Sequence, residues 1–267
     1  MASGRTRTIR ASVWLNERPA PKRRAEHSGP AGAAAEQTAG LDHDRIVAAT
    51  VRLLDAEGLT KFSMRRLAAE LGVTAMSVYW YVDTKDDLLE FAVDAAAAEL
   101  VLPPEDTDAD WREQLRQLAA TNRDMLVRHP WVSRLIGEYL NIGPHAMKFA
   151  TAAQRVAISS GLPVEEIPGV LALVYQFVYG YGTIEGRFAA RCREAGLTQD
   201  EYFAEVMAVV DGRSEFEESK RLMDSRPGTD VEAMRARDFE VALDCAIAGI
   251  EVLRDRALRR SGQDAGS

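Results

Sequence analysis

Two cysteines in 267 residues, Cys192 and Cys245, leave no room for a disulfide framework, and their separation has no metal-ligand spacing. Both are expected to be reduced thiols in a cytoplasmic protein. Long apolar runs are also missing. None reaches the roughly 18 residues of a membrane span, and no apolar stretch follows the arginine-rich start as a secretory signal would require. Alternating strand patterns and internal repeats are absent. So are a nucleophile elbow, a phosphate-cradling glycine loop and a metal-spaced His/Glu pair, and adjacent carboxylates such as Glu165 and Glu166 diverge on a helix. These absences argue against a membrane protein, a secreted scaffold and an enzyme.

Excess positive charge is lacking too: the net charge is −8. It is unevenly divided. Residues 1–41 carry seven basic and three acidic side chains, a net +4, with Lys22, Arg23 and Arg24 as the densest cluster. Residues 42–91 net −3, and the remainder nets −9. Any contact with nucleic acid must therefore come from a few well-placed groups or from the basic arm.

What is present is helical pattern. Residues 1–41, rich in Pro, Gly and Ala, give no usable period and read as a disordered basic arm. From Leu41 onward the apolar spacing is that of helices. Asp42 or Asp44 caps a first helix that ends at Gly58, Ser63 caps a second, and Asp83 or Thr84 starts a long one stopped by Pro103 and Pro104. Further helices are expected over 111–129, 131–140, 144–160, 164–195, 199–210 and 231–259. Residues 213–230 read as a charged loop with some helix, and 261–267 as a disordered tail.

The most informative stretch is FSMRRLAAELGVTAMSVYWYVDTK, residues 62–85. It reads as a helix, a tight turn at Gly72 and a short second helix beginning after Thr74. Leu67, Leu71, Val73 and Val78 are spaced to hold the two together. The short helix offers Thr74, Ala75, Ser77, Tyr79 and Tyr81, groups small or hydroxylated enough to enter a DNA major groove and meet base edges.

These residues resemble the tetracycline-repressor (TetR) family, most strongly over 41–89, where LGV, VYWYV and the following Lys85 carry the likeness. DFEVALDCAIAGIE near the C-terminus is similar to the last helix of the subfamily around the tetracycline repressor itself. The resemblance implies an all-α homodimer: a three-helix DNA-binding domain (42–91) joined by a connecting helix to a ligand-binding and dimerisation domain (92–260). It implies double-stranded operator DNA and a small organic ligand as partners, no membrane and no cofactor, and release from DNA when the ligand binds. By position it assigns DNA contacts to Arg65, Thr74, Ala75, Met76, Ser77, Tyr79, Trp80, Tyr81 and Lys85. Arg65 matches a position that reads a base or a phosphate, guanine being the base whose edge suits it. Met76 stands where the tetracycline repressor has proline, and Tyr81 where it has histidine. Asp83, Asp86 and Asp87 depart from a phosphate-binding patch.

In the second domain the candidate ligand contacts are Trp111, Met125, Trp131, Leu135, Tyr139, Gln176, Tyr179 and Thr183. Gln176, Thr183 and Glu185 interrupt an otherwise apolar helix, and a ligand, a dimer partner or solvent would answer them. Val101 and Tyr139 align where the tetracycline repressor has magnesium–tetracycline histidines, so that drug complex is not expected. Trp131 and Tyr139 suit an aromatic or polyketide-like organic ligand.

The charge division yields a test. Deleting residues 1–38 is expected to lower DNA affinity without changing the preferred sequence. The slope of log affinity against log salt should shrink by about 0.9 for each phosphate that the shortened protein no longer neutralises, read in a salt titration on one operator.

Overall fold

The computed structural model describes residues 12–15, 41–105 and 109–264, except the side chains of 261–264. The expected basic cluster Lys22, Arg23 and Arg24 lies outside the described residues. Among them every regular element is a helix, with turns and loops between, and there is no strand. The helices are α1 (His43–Glu57), α2 (Met64–Leu71), α3 (Ala75–Tyr79), α4 (Lys85–Ala97), α5 (Trp111–Arg128), α6 (Val132–Leu135), α7 (Pro144–Ser159), α8 (Ile167–Ala195), α9 (Gln199–Val210), α10 (Glu217–Asp224) and α11 (Val231–Asp264). Single 3-10 turns cover Val13–Leu15 and Ser214–Phe216.

The starts follow side-chain chemistry. Asp42, Ser63, Thr74, Thr84 and Asp110 each accept a backbone N–H at the head of their helix, and Thr198 does so in a reciprocal capping box with Glu201. Each such cap stabilises its helix by about 1 kcal/mol. Four elements depart from their expected bounds, one of them α8, which starts at Ile167 rather than 164. The helix expected over 131–140 shrinks to α6, since Trp131 is anchored elsewhere and Asn141 takes a left-handed φ of 49°. The connecting helix ends at Ala97 rather than running to 100. Helix α11 reaches Asp264, into the stretch expected to be a tail.

The chain forms two compact units, and they do not follow the linear division at residue 91. One comprises Met1–Glu99 with Trp131–Phe149, the other Leu100–Pro130 with Ala150–Ser267. In the first, Ile46, Ala49, Leu54, Leu67, Val78 and Leu88 are nearly or wholly inaccessible to solvent. Helix α4 buries eight of its thirteen residues, among them Glu90 and Asp94. Asp94 is 4% exposed and serves as a cap from outside for α7: its Oδ1 accepts the N–H groups of His145 and Ala146, each at 3.0 Å, while Oδ2 lies 2.8 Å from His145 Nδ1. A Cβ at Gly143 would stand 2.2 Å from that carboxylate, which is why the residue there is glycine.

Residues 12–15 correct the expectation of a wholly disordered arm. They fold as a turn upon α4, with Ser12 donating to Glu90.

The second unit is organised around α5, α8 and α11. Leu118, Leu126, Val178, Leu243, Ile247 and Ile250 form its core. Helices α5 and α8 approach closely because Gly182 and Gly186 present no side chain: a Cβ would come within 2.8 Å of Leu126 Cβ at the first and 2.8 Å of the Leu126 carbonyl at the second. Beside them Arg123 grips Glu185 with two parallel hydrogen bonds, 2.7 and 2.8 Å, both side chains being largely buried. The paired geometry satisfies the charges that burial would otherwise penalise. Helix α8 is the one element among the described residues long and apolar enough to cross a bilayer by length and composition, with a mean hydropathy of 1.3 in its most apolar window. Counting uninterrupted runs missed it because Gln176 and Thr183 break the sequence.

The Gly186 contact is with backbone, which cannot rotate away. Gly186→Ala is expected to destabilise the fold by about 1–3 kcal/mol through overpacking. Gly180→Ala, with no atom within 4 Å, should leave the melting temperature of the isolated chain nearly unchanged. Thermal denaturation of the two variants measures the difference.

Candidate functional site

Helices α2 and α3 form a helix-turn-helix whose angle is set by backbone chemistry. Gly72 closes α2 in the left-handed region at φ 68°, and the Gly72 and Val73 N–H groups return to the carbonyls of Ala69 and Ala68 at 3.2 and 2.9 Å. Thr74 then caps α3: its Oγ1 accepts the Ser77 N–H at 3.2 Å and lies 2.9 Å from Ser77 Oγ. Leu67 and Val78 are fully buried and lock the pair, with Leu71 and Val73 half-buried around them.

Helix α3 has five residues and buries only Val78. Its outer face and the C-cap Trp80 leave large side chains in solvent: Met76 is 68% exposed, Tyr79 41% and Trp80 53%. Such a cluster on a short, doubly anchored helix has no internal packing role. Arg65 is exposed at the head of α2, as are Thr74 and, in part, Ala75 and Ser77. Seven of the nine residues expected to touch DNA are thus exposed or half-exposed.

The other two are turned to structural work. Tyr81 donates its hydroxyl to the Leu41 carbonyl at 2.7 Å, tying the end of the motif to the start of α1. Lys85 donates to the Phe62 carbonyl at 3.1 Å, and its ammonium lies 5.4 Å from the centre of the Phe62 ring. Arg66, beside Arg65, is held by Glu57 and Glu70 at 2.7 and 3.1 Å, and those carboxylates raise its pKa above the usual arginine value. Thr84 caps α4 by accepting the Asp87 N–H, and Asp86 and Asp87 suit the positive end of that helix. The same two carboxylates oppose phosphate.

The residues expected to touch a ligand are divided between the two units. Trp111, Met125, Gln176, Tyr179 and Thr183 lie in the second; Trp131, Leu135 and Tyr139 lie in the first. Two of these are corrected to packing positions. Trp131 is buried, with its indole N–H on Asp55 at 2.7 Å, and Leu135 is 1% exposed in the same core. A buried indole needs an acceptor, and Asp55 on α1 supplies it. In the second unit Trp111 and Met125 are buried, Tyr179 stacks on Tyr175 at 6.2 Å, and Gln176 is exposed. Thr183 is 8% exposed and its Oγ1 has no hydrogen-bond partner.

A separate cluster lies on the Arg123 side of α8, and sequence reading singles out its α8 aromatics without their partners Arg123 and Phe239. Phe177, Tyr181 and Phe239 form an aromatic cluster with centroids 5.1–5.4 Å apart, and the Arg123 guanidinium lies 5.0 Å from the Phe239 ring. A groove of about 340 Å³ runs past Arg116, Arg123, Phe239 and Asp244. Arg235 sits 4.2 Å over Phe188; burial lowers its pKa, and its Nη1 has no partner. Burial likewise raises the Tyr175 and Tyr181 phenols. The partnerless Arg235 Nη1 beside the Phe188 ring suits an organic ligand with acidic or hydroxyl groups.

Two family descriptions match. Residues 46–92 fit the bacterial regulatory proteins of the tetR family, and residues 103–254 the tetracyclin repressor-like C-terminal domain. The chain belongs to the TetR family. Among similar proteins, a transcriptional regulator of Saccharopolyspora erythraea is 36% identical over 140 residues, 52% of this chain and 59% of the relative. The transcriptional repressor DrrR1 of Streptomyces coeruleorubidus is 32% identical over 163 residues, 61% of this chain and 60% of the relative. This TetR-family chain thus spans about three-fifths of the length of these relatives. Both descriptions and both relatives are of regulators, not enzymes. Among solved structures, the Streptomyces coelicolor TetR-family protein ActR in complex with actinorhodin is 27% identical with a TM-score of 0.62, covering 79% of this chain and 97% of that one. A second S. coelicolor transcriptional regulator, at 22% identity and TM-score 0.64, covers 80% and 99% and shares the fold.

Arg65→Ala and Ser77→Ala are each expected to weaken operator binding by about 1–3 kcal/mol and to relax preference at one operator position. A panel of single-base operator variants reads this out; uniform weakening across the panel would reassign either residue to phosphate.

Proposed function

We propose that the protein is a cytoplasmic transcriptional repressor that binds a pseudo-palindromic operator as a homodimer and is released by a small organic ligand. The observation that carries this reading is the outer face of α3: Met76, Tyr79 and Trp80 stand in solvent on a helix whose turn, cap and core side fix its direction. A groove-reading helix needs such a face, since base edges are met by side chains that the protein itself leaves unpacked.

Two further features support it. Helix α11 has a second apolar face: Val241 and Val252 are each 47% exposed, with Cys245 and Ala248 exposed between them. On α8, Leu173 and Ile184 are 54% and 69% exposed, and Gly180 faces open space. We read these faces as the two-fold subunit contact, which also accounts for the apolarity of α8 without a bilayer. For the ligand, the groove past Arg123 and Phe239 favours an aromatic organic molecule, in keeping with the similar ActR complexed with actinorhodin. A ligand shifts the DNA equilibrium only by its differential affinity for the free and bound states.

The testing experiment is an electrophoretic shift with DNA flanking the protein's own gene, coupled to sedimentation. The unaltered chain should sediment as a dimer and retard that DNA as two chains per site. Ala248→Arg should give folded monomers and abolish tight DNA binding together. A monomeric unaltered chain would remove the dimer, and absence of any retarded complex would remove the repressor reading.

A further inference from the structure

Residues 12–15 make interactions that the helix-turn-helix does not require. Ser12 Oγ donates to Glu90 Oε2 at 2.5 Å, and the Val13 N–H reaches the same oxygen at 3.2 Å. The Leu15 N–H returns to the Ser12 carbonyl at 3.0 Å and closes the turn. Trp14 meets Phe91 of α4 edge-on, centroids 5.0 Å apart, and Phe91 in turn meets His43 of α1 at 4.5 Å. Ser12 and Glu90 are 4% and 5% exposed. Beyond the indole, between Val93, Asp94, Tyr139 and Gly143, only about 10 Å³ is left. That is room for about one water, so the indole fills the recess.

We propose that residues 12–15 are an intrachain strap that holds the connecting helix against α1 in the arrangement presenting α3 to DNA. One turn of 3-10 helix has no stability of its own, so its fold is evidence of docking. A buried carboxylate withdrawn from water needs donors, and Ser12 and Val13 supply two to Glu90. When the strap leaves, Glu90 loses the Ser12 and Val13 donors, Phe91 loses the Trp14 edge, and the packing of the connecting helix on α1 is weakened. Ser12 and Trp14 are themselves neutral, so substituting either leaves the net charge of the arm unchanged. The strap's effect on DNA is therefore separable from that of the arm's arginines. The effect on operator affinity rests on the DNA-binding reading above; the docking itself does not.

The test uses the full-length protein with Ser12→Ala, Glu90→Gln and the double variant. Denaturation of the three should be non-additive, and Ser12→Ala should speed hydrogen exchange in the central amides of α4. Ser12→Thr, which keeps the hydroxyl, should restore slow exchange. On a selected operator, Ser12→Ala and Trp14→Ala should each weaken binding by about fivefold or more. The salt slope and base preference should stay as in the unaltered protein, and Ser12→Thr should recover the affinity. Additive denaturation with unchanged exchange would overturn the docking. Coupled denaturation with unchanged operator affinity would overturn the strap's role in DNA binding, and a reduced salt slope would transfer that role to arm charge. If the unaltered protein binds no DNA, the functional reading and the strap's effect on DNA both fall, while the cycle and the exchange still report whether the turn is docked.

Discussion

A carboxylate taken out of water must be met by donors, and the connecting helix takes out two. Glu90 and Asp94 stand one turn apart on α4, each about 95% removed from solvent. Asp94 receives the head of α7 and the His145 ring; Glu90 receives the turn at residues 12–15. Segments distant in sequence are thereby held to a single helix by charge-assisted hydrogen bonds, which are stronger and more directional than apolar contact. The consequence is that the first compact unit includes Trp131–Phe149, a stretch that lies well beyond the DNA-binding motif in the chain. Trp131, bonded to Asp55 of α1, ties the same stretch to the reading head.

The candidate DNA surface has an unusual balance. Its reading helix offers Met76, Tyr79 and Trp80, large and mostly uncharged, while its cations are sparse and partly engaged by Phe62, Glu57 and Glu70. On a domain core that nets −3, long-range attraction to DNA is weak, so complementarity at contact distance carries a larger share of recognition. The basic arm is then the one stretch of the three with a net positive charge, and its described segment is held to the Glu90 carboxylate.

Helix α8 illustrates how one sequence serves two surfaces. Gly182 and Gly186 face α5 and set the spacing that brings Arg123 to Glu185, while Gly180 and Ile184 face outward. Three glycines close in sequence thus have different environments, decided by the helical turn on which each falls. An apolar helix with polar interruptions looks the same in sequence whether those interruptions meet a partner side chain, as Glu185 does, or none, as Thr183 does.

The sequence by itself determined the helical class, the helix-turn-helix and nearly every helix start. These depend on local rules: Ser63, Thr74 and Thr84 bond backbone groups three residues away, and Gly72 relieves a strained φ wherever it occurs. Spacing also anticipated which side of the short helix is open to solvent, with Met76 and Tyr79 out and Val78 in, because side-chain direction on a helix follows from position. Only the tertiary structure decided the rest. Trp131 reads in sequence as an aromatic fit for a ligand, yet its indole meets Asp55; Lys85 reads as a phosphate contact, yet it meets Phe62. Residues 12–15, an apolar Val-Trp-Leu after a serine, read as part of a tail because their partner, Glu90, is a single carboxylate elsewhere in the chain. Periodicity reports which face of a helix is apolar, but not which distant polar group arrives there, since that depends on how separate helices close on one another.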